Sequence, residues 1–288
     1  MQTFPCAKIN LGLNVVSRRA DGYHDIETVF YPLPVTDVLE VTDMSHAPHA
    51  NTPCNLRVTG TSELCAEQDN LVVKAYNLLA QYHPLPHIQV HLHKSIPSQA
   101  GMGGGSSDAA YMIRLLNSQF SLGLSTGEMC EYAARLGADC AFFIMSDSTC
   151  PQPVYATGIG EQLHPFTDRW DTLDGKWLVL VKPDVAVSTK EAYSGIVPCK
   201  PAMNCRDALM MPIETWRNNL TNDFEVSIFK KLPLLADVKQ WLYSNGAIYA
   251  AMSGSGSTIF GIFSERPYFA TASKFGGYLN VIHLNANQ

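Results

Sequence analysis

Alternating apolar and polar residues predict a β-strand near the start of the chain. Between residues 4 and 16, one side of an extended chain carries apolar residues at every second position: Ile9, Leu11, Leu13 and Val15. The other side is mostly polar and includes Lys8 and Asn10. Such a polar face points either into a site or into solvent, and solvent is the default expectation.

The same patterns predict most of the remaining secondary structure. Asp21-Gly22 marks a turn before a second strand at 26–33, which favours a hairpin. Helices with an apolar face are predicted at 71–82, where Asp69-Asn70 supplies a cap, and at 125–136, where Ser125 and Glu128 have capping-box spacing. Further strands are predicted at 38–42, 55–59, 88–93, 176–181, 248–252, 258–263 and 278–284, and a further helix at 234–243.

A glycine-rich stretch lies between the predicted strand at 88–93 and a mostly apolar helix. Its four glycines fall within five residues: Gly101, Gly103, Gly104 and Gly105. Glycines let backbone N–H groups approach an anion without hindrance from a Cβ, and the first turn of a helix adds more N–H groups and a favourable dipole. The stretch therefore predicts a phosphate-binding loop, with Ser106 or Ser107 as the N-cap of the helix.

Other interpretations of this stretch fit less well. A flexible surface loop is one alternative, but a linker is not normally placed between a strand and an apolar helix. A Walker loop needs a lysine directly after its last glycine, and a dinucleotide-binding fold needs its glycines near a first βα turn with an acid downstream. The spacing here meets neither requirement.

The order of the predicted elements indicates two lobes. The chain has 288 residues and 46% hydrophobic content, enough to bury a substantial core. Prolines and small polar residues interrupt the apolar pattern near 147–153, which predicts an N-terminal domain at 1–150 and a C-terminal domain at 151–288. Strands alternating with helices and antiparallel hairpins predict an α+β sandwich in each lobe, and not a doubly wound sheet.

Composition limits the partners of the protein. A net charge of -6 without a basic run argues against nucleic acid, whereas backbone N–H groups and a few lysines could still bind a small anion. The eight cysteines show no CxxC pair or zinc-ligand spacing, so reduced thiols are expected. The chain shows no signal-peptide pattern and no run near the roughly 18 apolar residues of a membrane span, which predicts a cytoplasmic protein.

Four separated segments resemble the GHMP kinases, a family named for galactokinase, homoserine kinase, mevalonate kinase and phosphomevalonate kinase. They are the glycine stretch, Ala7-Lys8-Ile9-Asn10-Leu11, Leu136-Gly137-Ala138-Asp139 and Met252-Ser253-Gly254-Ser255-Gly256-Ser257. Together with the opening segment, Arg19-Ala20-Asp21-Gly22-Tyr23-His24 resembles the branch whose substrate is a cytidyl diphosphate derivative of methylerythritol, and Gly158-Ile159-Gly160-Glu161 also matches. Three places depart from the usual pattern: Gln99 stands for Gly, Met102 for Leu, and Cys140-Ala141 for Val-Pro.

The resemblance implies a two-lobed fold and a catalytic pair. The N-terminal lobe would be like ribosomal protein S5 domain 2, the C-terminal lobe ferredoxin-like, and the active site would lie in the cleft between them. Asp139 would be the general base for a substrate hydroxyl, and Lys8 its partner, keeping the carboxylate ionised. Apart from the resemblance, an Asp in this position is more often a helix or strand cap, and a lysine on a strand is usually solvated.

The resemblance also implies ATP as the phosphoryl donor, with Mg²⁺ carried by the nucleotide. No protein ligand of the metal is certain, although Ser106 or Ser107 could contact it. Two further residues, Asn70 and Lys94, would line the adenine end of the nucleotide pocket. The full set implied for ATP is Asn70, Lys94, Pro97, Gly101, Gly103, Gly104, Gly105, Ser106 and Ser107.

The implied activity is phosphorylation of the 2-hydroxyl of the cytidyl substrate, in the non-mevalonate isoprenoid pathway. Tyr23 and His24 would bind the cytosine end, Asn10 would contact substrate, and Thr189 and Tyr193 fall where a hydroxyl and a second stacking ring are expected. The partners would then be the small-molecule substrate and ATP, with no nucleic acid or membrane, in a monomer or homodimer.

Three rival functions stay open at this point. A different GHMP kinase would share the loop but lack the cytosine-binding residues Tyr23 and His24. A kinase-like fold without chemistry would bind only a partner, although the presence of Lys8, Asp139 and the whole glycine stretch argues against it. A nucleic-acid module is disfavoured by the acidic charge.

Overall fold

The structure, a computed structural model, describes residues 1–45, 52–60, 66–146, 152–166, 170–269 and 275–284. Its strands are β1 (Gln2–Thr3), β2 (Cys6–Arg18), β3 (His24–Thr36), β4 (Val38–Asp43), β5 (Cys54–Gly60), β6 (Ile88–Lys94), β7 (Val154–Thr157), β8 (Gln162–Pro165), β9 (Trp177–Lys182), β10 (Tyr249–Met252), β11 (Ile259–Phe263) and β12 (Tyr278–His283). Its α-helices are α1 (Leu71–Ala80), α2 (Gly104–Gln119), α3 (Thr126–Ala134), α4 (Cys140–Met145), α5 (Thr189–Ser194), α6 (Cys205–Leu209), α7 (Trp216–Asn219), α8 (Phe224–Lys231) and α9 (Pro233–Ser244). Within these ranges no helix has the length and apolar character needed to cross a membrane.

The chain forms two compact units that interleave along the sequence. Unit 1 comprises Met1–Lys8, Pro32–Ser98 and Gly103–Ser148, and unit 2 comprises Ile9–Tyr31, Gln99–Met102 and Thr149–Gln288. The predicted boundary at residue 150 lies outside the described residues. Unit 2 also takes in two segments that the predicted division assigns to the N-terminal domain. Because β2, β3 and the glycine stretch each run from one unit into the other, no cut at a single residue reproduces this division.

Unit 1 is built on a sheet with the strand order β1-β4-β6-β5. The pairs are antiparallel except for β5 and β6, which are parallel. Helix α2 packs against β1, β4 and α1, and α1 also contacts β5, so the two helices bury the apolar residues of the sheet. The predicted caps are confirmed: the Asn70 side chain accepts a hydrogen bond from the N–H of Val72, and Ser125 and Glu128 form a capping box.

Unit 2 contains a second sheet with the order β10-β11-β9-β12, in which every pair is antiparallel. Helix α9 packs against β10 and β11, and α8 packs against α9. The core between these elements includes Leu13 and Val15 of β2, which explains why the part of β2 from Ile9 onward belongs to this unit. A third sheet has the order β2-β3-β7-β8.

The α+β fold class predicted from the sequence is confirmed, and each predicted strand and helix is found to within a few residues. The expectation that the polar face of the first strand points into solvent is wrong, because Lys8, Asn10 and Asn14 are only 3%, 2% and 5% exposed. The short helices α5 to α8 were not predicted, since four to eight residues carry too little periodicity. The described cysteines are free thiols, as expected, while Cys65 and Cys150 lie outside the described residues.

Candidate active site

Lys8 and Asp139 form an ion pair in unit 1. The distance from Lys8 Nζ to Asp139 Oδ2 is 3.5 Å, and the lysine is fully buried while the carboxylate is about one-third exposed. Burial lowers the pKa of Lys8, and the charge of Asp139 and its hydrogen bond oppose that change. The pair therefore joins a buried cation to a partly exposed carboxylate, a group that can accept a proton from a bound hydroxyl.

The local structure of Asp139 argues against a purely structural role. Asp139 occupies the N-cap position of α4, where an Asp commonly accepts a hydrogen bond from the first turn. Its side chain makes no capping hydrogen bond, and its backbone is helical instead of extended. The carboxylate is therefore directed to Lys8, as in the predicted catalytic pair.

The predicted serine cap of α2 is wrong. The N-cap is Gly103, in the left-handed conformation with φ +71°, and Ser106 and Ser107 lie inside the first turn. Gly103 offers no side chain to cap this helix end, which is compatible with the predicted role of its N–H groups in binding phosphate. A Cβ on Gly103 would lie 2.7 Å from Phe143 Cζ and 3.1 Å from Lys8 Cγ, which places this part of the loop directly against Lys8.

Lys94 is buried in unit 1 between two carboxylates. Its ammonium donates to Asp108 Oδ2 at 2.6 Å and to Asp37 Oδ2. Burial acts to lower the pKa of Lys94, but the two carboxylates outweigh it and raise that pKa. Burial raises the pKa of Asp108, and the charge of Lys94 opposes that rise. Sequence reasoning missed both carboxylates. Asp108 follows the glycines and serines of the phosphate-binding motif, where no pattern indicates its partner, and Asp37 precedes an ordinary strand.

In unit 2 the first half of the glycine stretch packs on the turn between β10 and β11. The Ser253 hydroxyl donates to Gly101 O at 2.8 Å, and the N–H of Thr258 donates to Ala100 O at 3.2 Å. A Cβ on Gly101 would lie 2.0 Å from Ser253 O, so only glycine fits at that position. The Gly-rich turn at 253–257 thus supports the glycine stretch. The sequence identified this turn as a motif but did not predict its contact with the glycine stretch.

Asn222 holds that turn in place and was not predicted. Its buried side-chain amide donates to the carbonyls of Met252 at 2.7 Å and Gly254 at 2.8 Å, while its oxygen accepts from the N–H of Phe224 at 3.0 Å. The signal available in the sequence was the Asn222-Asp223 pair just before an apolar helix.

The residues predicted for the cytosine end are aromatic neighbours in unit 2. The rings of His24 and Tyr193 stack with centroids 4.9 Å apart, and Phe224 contacts the edge of Tyr193 at the same separation. Tyr23 is 61% exposed, so its ring has an open face. The structure brings His24 and Tyr193 together although 168 residues of chain separate the two.

The other predicted contacts are more dispersed. Asn10 is buried, its amide donating to Thr28 Oγ1 at 2.9 Å and its backbone N–H to Ser253 Oγ at 3.3 Å. Thr189 is the exposed first residue of α5, the helix that carries Tyr193. Pro97 is half-buried where the glycine stretch begins. The side-chain oxygen of Asn70 caps α1, so its role at the adenine end stays a prediction. No cluster of three or more metal-ligating side chains occurs in the described part of the chain.

Comparison with known proteins connects these features. Residues 70–147 match the GHMP kinases N terminal domain, and residues 209–273 match the GHMP kinases C terminal family. A Bacteroides fragilis protein named 4-diphosphocytidyl-2-C-methyl-D-erythritol kinase is 49% identical over 92% of this chain and 93% of its own. The chain belongs to this kinase family. A relative of the same name from Parabacteroides distasonis is 45% identical over 96% of both chains.

A solved structure agrees with this membership. The crystal structure of 4-(cytidine 5'-diphospho)-2C-methyl-D-erythritol kinase superimposes with a TM-score of 0.73 at 29% identity, covering 91% of this chain and 90% of that chain. The GHMP kinase fold expected from the motifs is therefore confirmed.

One departure from the kinase family's usual pattern has a structural cost. Gln99 has φ +49°, in the left-handed region that favours the glycine usual at this position. We expect Gln99→Gly to leave the free energy of unfolding unchanged or to raise it by up to about 1 kcal/mol, because relief of strain exceeds the added chain entropy. We expect Gln99→Val to lower it by about 1 kcal/mol or more, since β-branched residues adopt a positive φ poorly.

Denaturant unfolding of the two variants and the wild type measures this difference. If Gln99→Gly were the less stable of the two variants, the backbone at this position could not be under strain.

The other two departures change the site little. Met102 is buried in the middle of the glycine stretch, so it retains the apolar role of the usual leucine. Burial raises the pKa of Cys140 to about 12, and its thiol therefore stays protonated and is not a nucleophile beside Asp139.

Proposed function

We propose that this chain transfers the γ-phosphoryl group of ATP to the 2-hydroxyl of 4-diphosphocytidyl-2-C-methyl-D-erythritol, a step of the non-mevalonate isoprenoid pathway. The Lys8–Asp139 pair is the observation that carries this proposal, because the carboxylate lies at a helix start without capping it and pairs with a buried cation. Membership of a kinase family supports the same conclusion. We further expect a cytoplasmic enzyme that acts as a monomer or homodimer.

Asp139 acts as the general base in this proposal. It accepts the proton of the substrate hydroxyl, the hydroxyl oxygen bonds to the γ-phosphorus, and ADP leaves. Lys8 pairs with Asp139 and offsets negative charge as it develops during transfer. Because the ammonium is buried, its interaction with that charge is screened less than it would be in water.

The glycine stretch and the start of α2 hold the phosphates of ATP. Gly103, Gly104 and Gly105 present backbone N–H groups at a helix end that no side chain caps. Ser107 Oγ is buried and has no hydrogen-bond partner among the described residues, so the residues present fit a nucleotide-borne Mg²⁺, which Ser107 would help to hold. When bound, Mg²⁺ neutralises charge on the phosphate oxygens.

Recognition of the cytidyl group is assigned to Tyr23, His24 and Tyr193. The stacked rings of His24 and Tyr193 form an aromatic surface, and the exposed ring of Tyr23 offers a second one. These contacts lie at the end of the substrate remote from the transferred group, so they contribute affinity and positioning more than stabilisation of the transition state. These aromatic residues would distinguish the proposed substrate from those of other GHMP kinases.

The assignment of Tyr23 to the cytidyl group is tested by comparing ADP release by the Tyr23→Ala variant and by the wild type. We expect the variant to raise KM for the cytidyl substrate about 10- to 100-fold, the scale of a lost stacking contact, with a smaller effect on KM for ATP. Tyr268→Ala is the matched control, because Tyr268 is 90% exposed and has no assigned role.

The wild type is also assayed with free methylerythritol, mevalonate and homoserine. Equal efficiency with free methylerythritol and with its cytidyl diphosphate derivative would contradict a base-binding pocket. Absence of ADP release with every acceptor would contradict the kinase activity itself and favour a protein that only binds a partner.

A further inference from the structure

Three charged residues are buried together in unit 1, and the proposed reaction uses none of them as a catalytic group. They are Asp37, Lys94 and Asp108, which are 0%, 6% and 3% exposed. The Lys94 ammonium lies between the two carboxylates and donates to Oδ2 of each. Burying charges is costly, and here the ammonium shared by the two carboxylates offsets part of that cost.

The two carboxylates hold opposite ends of the phosphate-binding loop. Asp37 Oδ1 accepts hydrogen bonds from the backbone N–H groups of Ser95 at 2.6 Å and Ile96 at 2.8 Å, where the glycine stretch begins. Asp108 lies in the second turn of α2, the helix that follows the stretch. Lys94 therefore connects the group that holds the entry of the loop to the helix at its exit.

Lys94 also lies directly behind the glycines. A Cβ on Gly104 would be 3.3 Å from Lys94 Nζ and 3.0 Å from Ile96 Cγ2, so the ammonium packs against the first residue of α2. The ammonium is buried and donates to two carboxylates, an arrangement that favours a partner inside the protein over one on a bound base.

We propose that Asp37, Lys94 and Asp108 form a loop brace, three positioning residues that hold the phosphate-binding loop in shape, and that Lys94 does not contact the adenine base. This inference rests on the proposed function, since it assigns ATP phosphates to that loop. The family resemblance implies that Lys94 contacts the nucleotide. The loop brace instead gives Lys94 a positioning role, which acts through the backbone of Ser95 and Ile96 and through the start of α2.

Asp108 is the position at which the loop brace can be opened without leaving an unpaired charge. Asp108→Ala removes one of the two carboxylates and leaves the Lys94–Asp37 pair, one ammonium with one carboxylate. Asp108→Asn is the matched control, because its amide oxygen still accepts a hydrogen bond from Lys94 Nζ. Replacement of Lys94 itself is less informative, since it leaves two buried carboxylates without a cation.

Binding of two probes to the full chain separates a loop effect from a base contact. Calorimetry measures Kd for ATP and for inorganic tripolyphosphate, each with Mg²⁺. We expect Asp108→Ala to weaken both ligands by the same factor, about 10- to 100-fold, as follows from a small displacement of the phosphate-binding groups. Asp108→Asn should stay within about threefold of the wild type, because the hydrogen bond to Lys94 is retained.

Several results would overturn the loop brace. A loss confined to ATP, with tripolyphosphate unaffected, would mean that the cluster acts through a contact with the adenine. Normal affinity for both probes together with a lower melting temperature would mean that it contributes only to stability. A loss of equal size in Asp108→Asn would mean that the hydrogen bond to Lys94 is not what holds the loop.

Binding of the two probes by the wild type shows whether a negative result contradicts this inference or the proposed function. If the wild type binds neither ATP nor tripolyphosphate, the nucleotide assignment is wrong and the loop brace fails with it. If the wild type binds both and Asp108→Ala does too, the loop brace alone is overturned. KM for the cytidyl substrate should change less than about twofold in Asp108→Ala, because the loop brace does not touch that group.

Discussion

Asp139→Asn is expected to lower kcat by at least about a hundredfold, while Kd for ATP changes little. Removal of a general base costs about 10² to 10⁴ in rate, and an amide cannot accept the proton of the substrate hydroxyl. The substitution keeps the size and polarity of the side chain, so Lys8 retains a polar neighbour. Steady-state ADP release and calorimetric ATP binding measure the two quantities.

Asp237→Asn provides the matched control for that substitution. Asp237 is an exposed residue of α9 with no assigned role, so kcat and ATP affinity should both stay at wild-type values. Near-normal turnover of Asp139→Asn would remove Asp139 from the mechanism. A large loss of ATP affinity in that variant would instead place the carboxylate at the nucleotide.

Gly104→Val is expected to weaken ATP binding by at least about a hundredfold. A Cβ at this position would already lie 3.0 Å from Ile96 Cγ2 and 3.3 Å from Lys94 Nζ, both closer than ordinary contacts, and valine adds two further methyl groups. The start of α2 must then move, and a displacement of about an ångström in a phosphate-binding loop is enough for a loss of this size. The clash is with the protein behind the loop, so the effect does not require the side chain to occupy the phosphate position.

Gly127→Val tests whether this effect is specific. Gly127 lies in the first turn of α3, outside the proposed phosphate site, and a Cβ there would meet only Ser125 Oγ at 3.9 Å, an ordinary contact distance. We expect its ATP affinity to stay within about threefold of the wild type. Normal ATP binding by Gly104→Val would contradict the assignment of this loop to the phosphates.

Elements with a repeating pattern could be predicted from the sequence, and elements without one could not. The alternation in β6 and the apolar face of α1 each extend over enough residues to define a period. Helices α6 and α7, of five and four residues, do not. The cap of α2 was wrong for a related reason: a serine before a helix is a general signal, whereas the left-handed φ of Gly103 depends on the turn the chain makes there.

The residues of the candidate site also differ in whether their roles could be predicted from the sequence. The glycines predict a phosphate-binding loop by their own chemistry, whereas the roles of Lys8 and Asp139 follow from the resemblance of their short motifs to the GHMP kinases. Asp37, Asp108 and Asn222 act through hydrogen bonds to residues distant in sequence, and a single Asp or Asn carries no pattern that names its partner.

What the sequence by itself determined is therefore local: a backbone loop suited to phosphates, and the strands and helices around it. The candidate base with its cation and the aromatic residues for a base were implied by short motifs that resemble a known family. Only the tertiary structure decided which of these groups are in contact. It buried the polar side of β2, paired Asp139 with Lys8 and not with its own helix, and enclosed Lys94 between two carboxylates. The physical reason is that periodicity and turn chemistry depend on residues a few positions apart, whereas burial and the pairing of charges depend on which distant segments exclude water from one another.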